Sequence, residues 1–469
     1  MMGKTGKDTP YSKVAQNAFL QYDICKAKDI ATLWKAMAKK YIPKPTKIVS
    51  PDVLSRPIWT TWAKYKGKIN QDKVMKFAKD ITGYGTGYQI SQLEIDDRWT
   101  STYGDLDFDK TKFPNATLMI SNLTSMGIPV TVWIHPFFNN DSNSYQSYSN
   151  ISGLIKSDTS ASPALTSWWR AKDKTAGVLD VTNTKAVDKF LAGLRQLKTQ
   201  HNITSFKFDA GETNWLPKTY KMQDDLANPS DYTTKYVEMA RRADDSMRQE
   251  VRAGYKSQAS SMMVRMLDRA SNWGRNRGLK TLIPTALTFG MMGYPFVLPD
   301  LIGGNAMDVS DSGSVTTMDG VNLPDKELYI RWLQATALLP MMQFSIGPWD
   351  YKEDPLIARL TKKFIDLHEK YAPTIIKLGQ EAVAEGNPII RPLWWTDPED
   401  EVTLTCDDQF LLGNDILVAP VLEQGMTSRD VYIPSGQWTD MLTKKSVSGP
   451  KWLRNYAVGL EDLAYFTRQ

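Results

Sequence analysis

At 469 residues, with 42% hydrophobic and 23% charged residues, the chain has a globular composition and room for one large barrel and a small second domain. Its net charge of +5 is spread along the sequence, which excludes the clustered basic footprint of a nucleic-acid-binding protein. With Cys25 and Cys406 as its only cysteines, the chain can build neither a disulfide framework nor a cysteine-based zinc site.

The first segment, residues 1–48, is predicted to be a helical preface. Apolar residues recur at helical spacing in Ile30–Ala38, and the pattern ends at Pro43 and Pro45. Met1–Pro10 is polar and lacks the apolar core that a signal peptide requires. We therefore expect no secretion signal in this stretch.

Residues 49–384 alternate short β-branched or aromatic runs with longer amphipathic stretches, the pattern of a parallel α/β fold. The predicted strands are Ile58–Trp62, Tyr88–Ile95, Pro129–His135, Ser205–Asp209, Glu250–Gly254, Met262–Leu267, Phe296–Asp300 and Met341–Ser345. The predicted helices between them include Asn70–Ile81, Thr184–Thr199, Asp231–Met247, Lys280–Met291 and Glu327–Leu338. Eight such units predict a (β/α)8 TIM barrel.

Three further segments complete the predicted organisation. The insertion Asn139–Asp180, rich in Ser, Asn and Tyr, is predicted to be a surface excursion over the barrel mouth. Prolines and Asp300 interrupt the apolar run Thr281–Gly304, which favours a buried helix and strand over a membrane span. Residues 385–469 are predicted to form a small antiparallel β domain, with strands at Val402–Cys406, Phe410–Leu412, Ile416–Val421 and Arg429–Ile433.

Charged residues end several predicted barrel strands, at the face where barrel enzymes carry their catalytic side chains. These residues, in strand order, are Glu94, Asp96, Lys207, Asp209, Arg252, Asp268 and Asp300. Alternation along a strand puts Glu94 beside Asp96, and Lys207 beside Asp209. A lysine so placed can keep an aspartate ionised, which suits a nucleophile. Helix capping or barrel salt bridges are the alternative roles for these acids.

Carboxylates are the first candidates for catalysis because the three histidines, His135, His201 and His368, have no metal-ligand spacing. Glycoside hydrolysis requires two carboxylates, one to attack or to activate water and one to protonate the leaving oxygen. Trp62, Trp133 and the pair Trp168–Trp169 lie near strand ends or in the insertion, where aromatic rings could stack on a sugar. Each of these rings alone is better explained by packing.

Ordered motifs connect the chain to a known family. They are PIWTTWAKYK at 57–66, QLEIDDRW at 92–99, YGDLDFDKTKFPN at 103–115, VTVWIHPF at 130–137, SFKFDAGE at 205–212, MLDRASNWG at 266–274, GYPFVLPDLIGGN at 293–305 and FLLGNDILVAPV at 410–421. With this set the chain resembles glycoside hydrolase family 31 over roughly residues 20 to 469. Within the family it resembles the group of myogenesis-regulating glycosidases and SITS-binding protein-like members.

The resemblance implies a retaining α-glycosidase without metal or organic cofactor. For this group it implies an α-galactosidase-like activity on an oligosaccharide or glycoconjugate with a terminal α-linked sugar. Asp209 falls on the nucleophile position of the family and Asp268 on its acid/base position. Positions assigned to substrate binding are Arg252, Lys207, Glu94, Trp133, Trp169, Asp96 and Asp300.

Some positions depart from the family pattern. Glu94 stands where the α-glucosidases of the family usually have Asp, and Gln343-Phe344 stands where they usually have His, which argues against glucose. The N-terminal β-sandwich of the family and the membrane anchor of the group have no counterpart in the preface. The competing hypotheses are a non-catalytic member that binds a glycan or a partner, an α-glucosidase, and an inverting hydrolase of another barrel family.

Glycosylation acceptors of the N-x-S/T type favour the lumen of the secretory pathway or the extracellular space as the location. They lie at Asn115, Asn122, Asn140, Asn150 and Asn202. The sequence does not give the oligomeric state, so a homodimer stays open.

Overall fold

The structure, a computed structural model, describes residues 22–85, 87–168, 175–307 and 323–469 of the chain. Trp169 and residues 1–21 of the predicted preface lie outside the described residues. The chain divides into two compact units. The first unit includes Gly67–Met75 and Glu94–Met262, and the second consists of Cys25–Lys66, Lys76–Leu93 and Met263–Gln469.

Helices and strands alternate along most of the described chain. The α-helices are α1 (Ile30–Tyr41), α2 (Trp62–Tyr65), α3 (Gln71–Gly83), α4 (Ala116–Ser125), α5 (Asn143–Ser149), α6 (Thr184–His201), α7 (Asp231–Arg241), α8 (Leu282–Met291), α9 (Lys326–Thr336), α10 (Pro355–Glu385) and α11 (Glu401–Thr405). The strands are β1 (Ile58–Thr60), β2 (Gln92–Ile95), β3 (Val130–Ile134), β4 (Phe137–Asn139), β5 (Leu165–Ser167), β6 (Thr175–Val178), β7 (Ser205–Phe208), β8 (Glu250–Val251), β9 (Met263–Arg265), β10 (Val297–Leu298), β11 (Gln343–Phe344), β12 (Ile390–Arg391), β13 (Phe410–Leu412), β14 (Ile416–Ala419), β15 (Ser428–Asp440), β16 (Ser446–Ala457) and β17 (Ala464–Arg468).

Eight strands form one sheet in the order β10-β9-β8-β7-β3-β2-β1-β11. A parallel bridge between Leu301, just after β10, and Gln343 of β11 joins the two edges of this sheet. The predicted (β/α)8 barrel is therefore confirmed, and each of the eight predicted strands contains one of its strands. The observed strands are shorter than the predicted ones. The hydrogen-bonded pairing between neighbouring strands covers only part of each predicted apolar run.

Several helices begin at a capping side chain and bury an apolar face. At the start of α6, the Asn183 side chain accepts a hydrogen bond from the backbone N–H of Ala186. Four large apolar residues at helical spacing, Phe190, Leu191, Leu194 and Leu197, then bury one face of this helix. The predicted helices are confirmed as α3, α6, α7, α8 and α9, although α7 ends at Arg241 rather than at 247.

The insertion after β3 is more ordered than its polar composition predicts. Strands β4, β6 and β5 form a three-stranded antiparallel sheet, and α5 lies between β4 and β5 in the chain. Leu154, Ile155 and Trp168 are each at most 2% exposed, so the insertion contains buried apolar side chains. The prediction of a surface excursion missed this sheet because Ser and Asn outnumber the buried apolar residues in the described part of the insertion.

The long apolar run Thr281–Gly304 consists of α8 followed by β10, as predicted. The side chains of Leu282, Ile283 and Leu298 are fully buried. Across the described ranges, no helix has both the length and the hydropathy needed to span a membrane.

The C-terminal residues form a six-stranded antiparallel sheet in the order β12-β13-β14-β17-β15-β16. Leu411, Leu417, Ile433, Trp438 and Phe466 belong to its buried core. The predicted small β domain is thus present, although its exact limits at residues 385–469 stay a prediction.

One predicted C-terminal strand, Val402–Cys406, is wrong, because Glu401–Thr405 form the helix α11. The Asp400 side chain accepts a hydrogen bond from the backbone N–H of Val402 and so caps this helix. The predicted strand rests on the β preference of the Val and Thr residues, and this N-cap overrides that preference.

Candidate active site

Asp209 stands at the end of β7, in the first unit. Its backbone N–H donates to the Ile134 carbonyl at 2.8 Å, which continues the ladder between β3 and β7 by one residue. The next residues, Ala210 and Gly211, have φ values of 58° and 91°, so the chain turns sharply after Asp209. A Cβ at Gly211 would lie 2.4 Å from a ring carbon of Tyr236, which leaves room for glycine alone.

Two donors hold the Asp209 carboxylate. The Trp133 indole N–H donates to Oδ2 at 2.9 Å, and Nη1 of Arg252 lies 3.3 Å from Oδ1. The Tyr236 hydroxyl donates to the Asp209 backbone carbonyl at 2.8 Å and so helps to fix the turn. Donors on both carboxylate oxygens stabilise the charged form, which is the form that a nucleophile needs.

Arg252 contacts a second acid, Glu212. Its Nε donates to Oε1 at 2.7 Å and its Nη2 to Oε2 at 3.3 Å, a two-point contact that fixes the plane of the guanidinium group. The Trp215 indole N–H donates to Oε2 of the same carboxylate at 3.0 Å. The sequence offered one signal for Glu212, an acid three residues after Asp209, but no signal that it would pair with Arg252.

Lys207 is the centre of a buried charge cluster. Its ammonium group lies 3.4 Å from Glu94, 3.1 Å from Asp96 and 3.7 Å from Glu250. The sheet register explains the last contact, because Lys207 of β7 is directly beside Glu250 of β8. Burial raises the pKa of Asp96, and the charge of Lys207 opposes that rise.

An aromatic cluster lines the same region of the first unit. The Trp133 ring lies 4.6 Å from the His135 ring and stacks at 6.3 Å on Trp168, which itself stacks at 4.0 Å on Phe137. Burial lowers the pKa of His135 to about 3, although the charge of Asp209 favours its protonation. His135 is therefore a neutral member of this aromatic cluster at neutral pH.

In the second unit, Arg265 at the end of β9 connects two acids. Its Nη1 donates to Oδ1 of Asp268 at 3.0 Å and to Oδ1 of Asp300 at 3.4 Å. The Asp268 side chain is 26% exposed, whereas that of Asp300 is 2% exposed. Asp268 is thus the acid of this pair that solvent or a ligand can reach.

Asp300 also organises the surrounding loops. Its Oδ2 accepts hydrogen bonds from the Arg269 backbone N–H at 2.7 Å and from the Asn305 side chain at 2.5 Å. Asp300 has a φ of 66°, so its backbone is held in the left-handed region as well. These contacts give Asp300 a clear structural role in addition to the substrate-binding role predicted for it.

The predicted site residues therefore fall into two groups. The first unit brings together Glu94, Asp96, Trp133, Lys207, Asp209 and Arg252. The second unit joins Asp268 and Asp300 through Arg265, while Trp169 lies outside the described residues. The sequence did not single out Arg265, whose only signal is an arginine three residues before Asp268.

Comparison with known families gives two matches that together span most of the chain. Residues 57–378 match the family model of the glycosyl hydrolases family 31 TIM-barrel domain. Residues 386–469 match the model of the glycosyl hydrolase family 31 C-terminal domain. The resemblance that the motifs indicate is confirmed by these matches.

Individual relatives agree with that result. The chain is 41% identical to the myogenesis-regulating glycosidase of Mus musculus over 449 residues, which are 96% of this chain and 61% of that protein. It is 34% identical to the SITS-binding protein of Tetronarce californica over 313 residues, which are 66% of this chain and 42% of that protein. The chain thus spans about three-fifths and two-fifths of these relatives.

A solved structure supports the fold. The crystal structure of a GH31 alpha-xylosidase from a soil metagenome, complexed with xylose, matches with a TM-score of 0.79 at 22% identity. The match covers 94% of this chain and 66% of the xylosidase.

Proposed function

Because this chain belongs to glycosyl hydrolase family 31, we propose that it is a retaining exo-α-glycosidase that hydrolyses terminal α-galactosides. The observation that carries the proposal is the Asp209 carboxylate, which has the Trp133 indole on one oxygen and the Arg252 guanidinium on the other. A carboxylate so oriented is equipped to attack an anomeric carbon.

Asp209 is the nucleophile of the first step. Its oxygen forms a bond to the anomeric carbon while the bond from that carbon to the leaving oxygen breaks. Asp268 donates its proton to the leaving oxygen, so the aglycone departs as a neutral alcohol. The product of this step is a covalent glycosyl-enzyme in which the configuration of the sugar is inverted.

Asp268 acts as the base of the second step. It takes a proton from a water molecule, whose oxygen attacks the anomeric carbon and breaks the bond to Asp209. The second inversion restores the α configuration. The partial exposure of Asp268 supports this role, since the group must reach both a leaving group and water.

The assignment of galactose rests on the lining of the proposed sugar site. Glucose and galactose differ only in the direction of the hydroxyl at C4, so the enzyme distinguishes them through the polar groups around that carbon. Glu94, one methylene longer than Asp, is fully buried beside Lys207. We assign Arg252 and Trp133 to this site as well, together with Lys207, Glu94, Asp96, Asp300 and Trp169.

A secretory location belongs to the same proposal. The asparagines of the five glycosylation acceptors are all exposed, as glycan attachment requires. Mass loss on treatment with a glycosidase that removes N-glycans, after expression through a eukaryotic secretory pathway, would support this location. An unchanged mass would contradict it.

A substrate screen tests the proposed activity. The purified chain is incubated with aryl α-galactoside, aryl α-glucoside and aryl α-xyloside, with the Asp209→Asn variant as the control. We expect the α-galactoside to be hydrolysed faster than the other two substrates. This activity should be lost in Asp209→Asn. A preference for the α-glucoside would contradict the sugar assignment. Saturable binding without hydrolysis of any substrate would show a non-catalytic member instead.

A further inference from the structure

Glu212 follows the nucleophile by three residues, and its carboxylate is shared by two side chains. Oε1 accepts from Nε of Arg252, while Oε2 accepts from Nη2 of Arg252 and from the indole of Trp215. The side chain is 28% exposed, so water screens it only in part. Glu212 therefore orients Arg252 from the side opposite to Asp209.

The geometry divides the donors of Arg252 between two acids. Nε and Nη2 donate to Glu212, while Nη1 lies 3.3 Å from Oδ1 of Asp209. The bond from Nε to Glu212 is the shortest of these contacts at 2.7 Å. Two hydrogen bonds to one carboxylate also fix the plane of a guanidinium group better than one does. The position of Nη1 beside the nucleophile is thus determined by the acid on the other side.

We propose that Glu212 is a positioning residue, which holds Arg252 in place and takes up part of its positive charge so that Asp209 stays reactive. The inference rests on the proposed function, because it needs Asp209 to be the nucleophile. If Arg252 paired with Asp209 alone, its full charge would act on that carboxylate. A more strongly stabilised carboxylate is a weaker nucleophile.

Several other charged or titratable groups surround the two acids, and the test must leave them unchanged. They are Asp96 directly after β2, His135 directly after β3, Lys207 of β7 and Tyr236 of α7. Burial keeps His135 neutral and raises the pKa of Tyr236 well above its usual range. These two groups therefore do not change charge near neutral pH.

The variant Glu212→Gln isolates this effect. A glutamine keeps the shape of the side chain and one oxygen that can accept from Trp215, but it cannot accept from both donors of Arg252 as a carboxylate does. We expect kcat to fall about tenfold or more, the scale of one charge-assisted hydrogen bond, with a much smaller change in KM. The acidic limb of the pH profile of kcat should move to lower pH by about one unit.

Two further variants separate positioning from general stability. Glu212→Asp keeps the charge, and its kcat and acidic limb should lie between those of the wild type and Glu212→Gln. Glu381 is a matched control, because its side chain is 29% exposed and pairs with Arg391, which is itself buried. Glu381→Gln should lower the melting temperature without moving the acidic limb.

The outcomes are distinct from those that test the proposed function. An acidic limb that stays in place or moves to higher pH in Glu212→Gln would overturn the positioning role, even if Asp209→Asn is inactive. The positioning role would also be overturned if Glu381→Gln shifts the acidic limb as much as Glu212→Gln does. If Asp209→Asn keeps wild-type activity, the proposed function itself fails.

Discussion

The indole nitrogen of Trp133 lies 2.9 Å from Oδ2 of Asp209, while Oδ1 of the same carboxylate is 3.3 Å from Arg252. Trp133 belongs to β3, and Arg252 directly follows β8, the two neighbours of β7 in the sheet. The acid at the end of β7 is therefore held from both adjacent strands. Such a support on rigid elements is what a nucleophile needs to keep its orientation.

Replacing Trp133 by Phe keeps an aromatic ring but removes the N–H that donates to Asp209. We expect kcat to fall about tenfold or more, because the lost hydrogen bond involves a charged acceptor. Steady-state kinetics on an aryl α-galactoside measures the loss. Trp438→Phe is the control, since it removes a buried indole hydrogen bond of the C-terminal sheet, to Pro434. An equal loss of kcat in both variants would contradict the role of Trp133.

Replacing Asp268 by Ala should affect substrates according to their leaving groups. A poor leaving group needs a proton from Asp268, whereas an activated aryl group departs without one. We therefore expect the loss of kcat/KM to be far larger for alkyl than for nitrophenyl α-galactosides. A uniform loss across a series of leaving groups would show that Asp268 is not the acid.

His368 of α10 should make the folded state sensitive to acid. It is fully buried, its ring contacts the Ala337 carbonyl at 3.1 Å, and burial lowers its pKa to about 4. The unfolded chain binds this proton near pH 6.5, so the unfolded state takes up more protons between about pH 6.5 and 4. The contribution to stability is complete above about pH 6.5 and is lost as the pH falls through that window.

Urea unfolding at several pH values measures this effect. The wild type should lose up to roughly 3 kcal/mol of unfolding free energy through His368 over the window. In His368→Leu the decline should be correspondingly shallower, whatever its stability at neutral pH. Parallel curves for the two proteins would contradict the prediction.

Arg331 of α9 should contribute strongly to the stability of the second unit. Its side chain is fully buried and donates to the carbonyls of Met426, Val458 and Gly459. Arg331→Met leaves these acceptors, of which the Val458 carbonyl is buried, without their donor and removes a buried charge from its hydrogen bonds. We therefore expect the unfolding free energy to fall by about 3 kcal/mol or more. Arg454→Met is the control, because Arg454 is 61% exposed in its pair with Asp430 and should cost at most about 0.5 kcal/mol. Similar losses in both variants would contradict this account.

The sequence predicted the barrel well because its strands are short apolar runs between amphipathic helices, and every such run contains a strand. It failed at Val402–Cys406, where one capping aspartate decides between helix and strand. It also failed in the insertion, where the sheet β4-β6-β5 is built from few apolar residues. The hydrophobic pattern of a sequence does not show whether a capping side chain overrides a strand preference. It also does not show a sheet that contains few apolar residues.

For the candidate site, the ends of the strands indicated Asp209, Asp268 and Arg252, since acids and bases that end apolar runs are visible in a sequence. The pairing of those residues was not visible. The contacts of Glu212 with Arg252 and of Arg265 with Asp268 depend on side-chain directions after the strands have ended. Only the folded chain supplies these directions.

The central claim is that Asp209 forms a covalent bond to the sugar, and the configuration of the first product tests it most directly. Proton NMR can follow the wild-type enzyme on an aryl α-galactoside during the first minutes, before free galactose mutarotates. Two successive inversions predict that α-galactose appears first and that β-galactose accumulates only later. Initial release of β-galactose would show a single displacement by water and would contradict a nucleophilic Asp209.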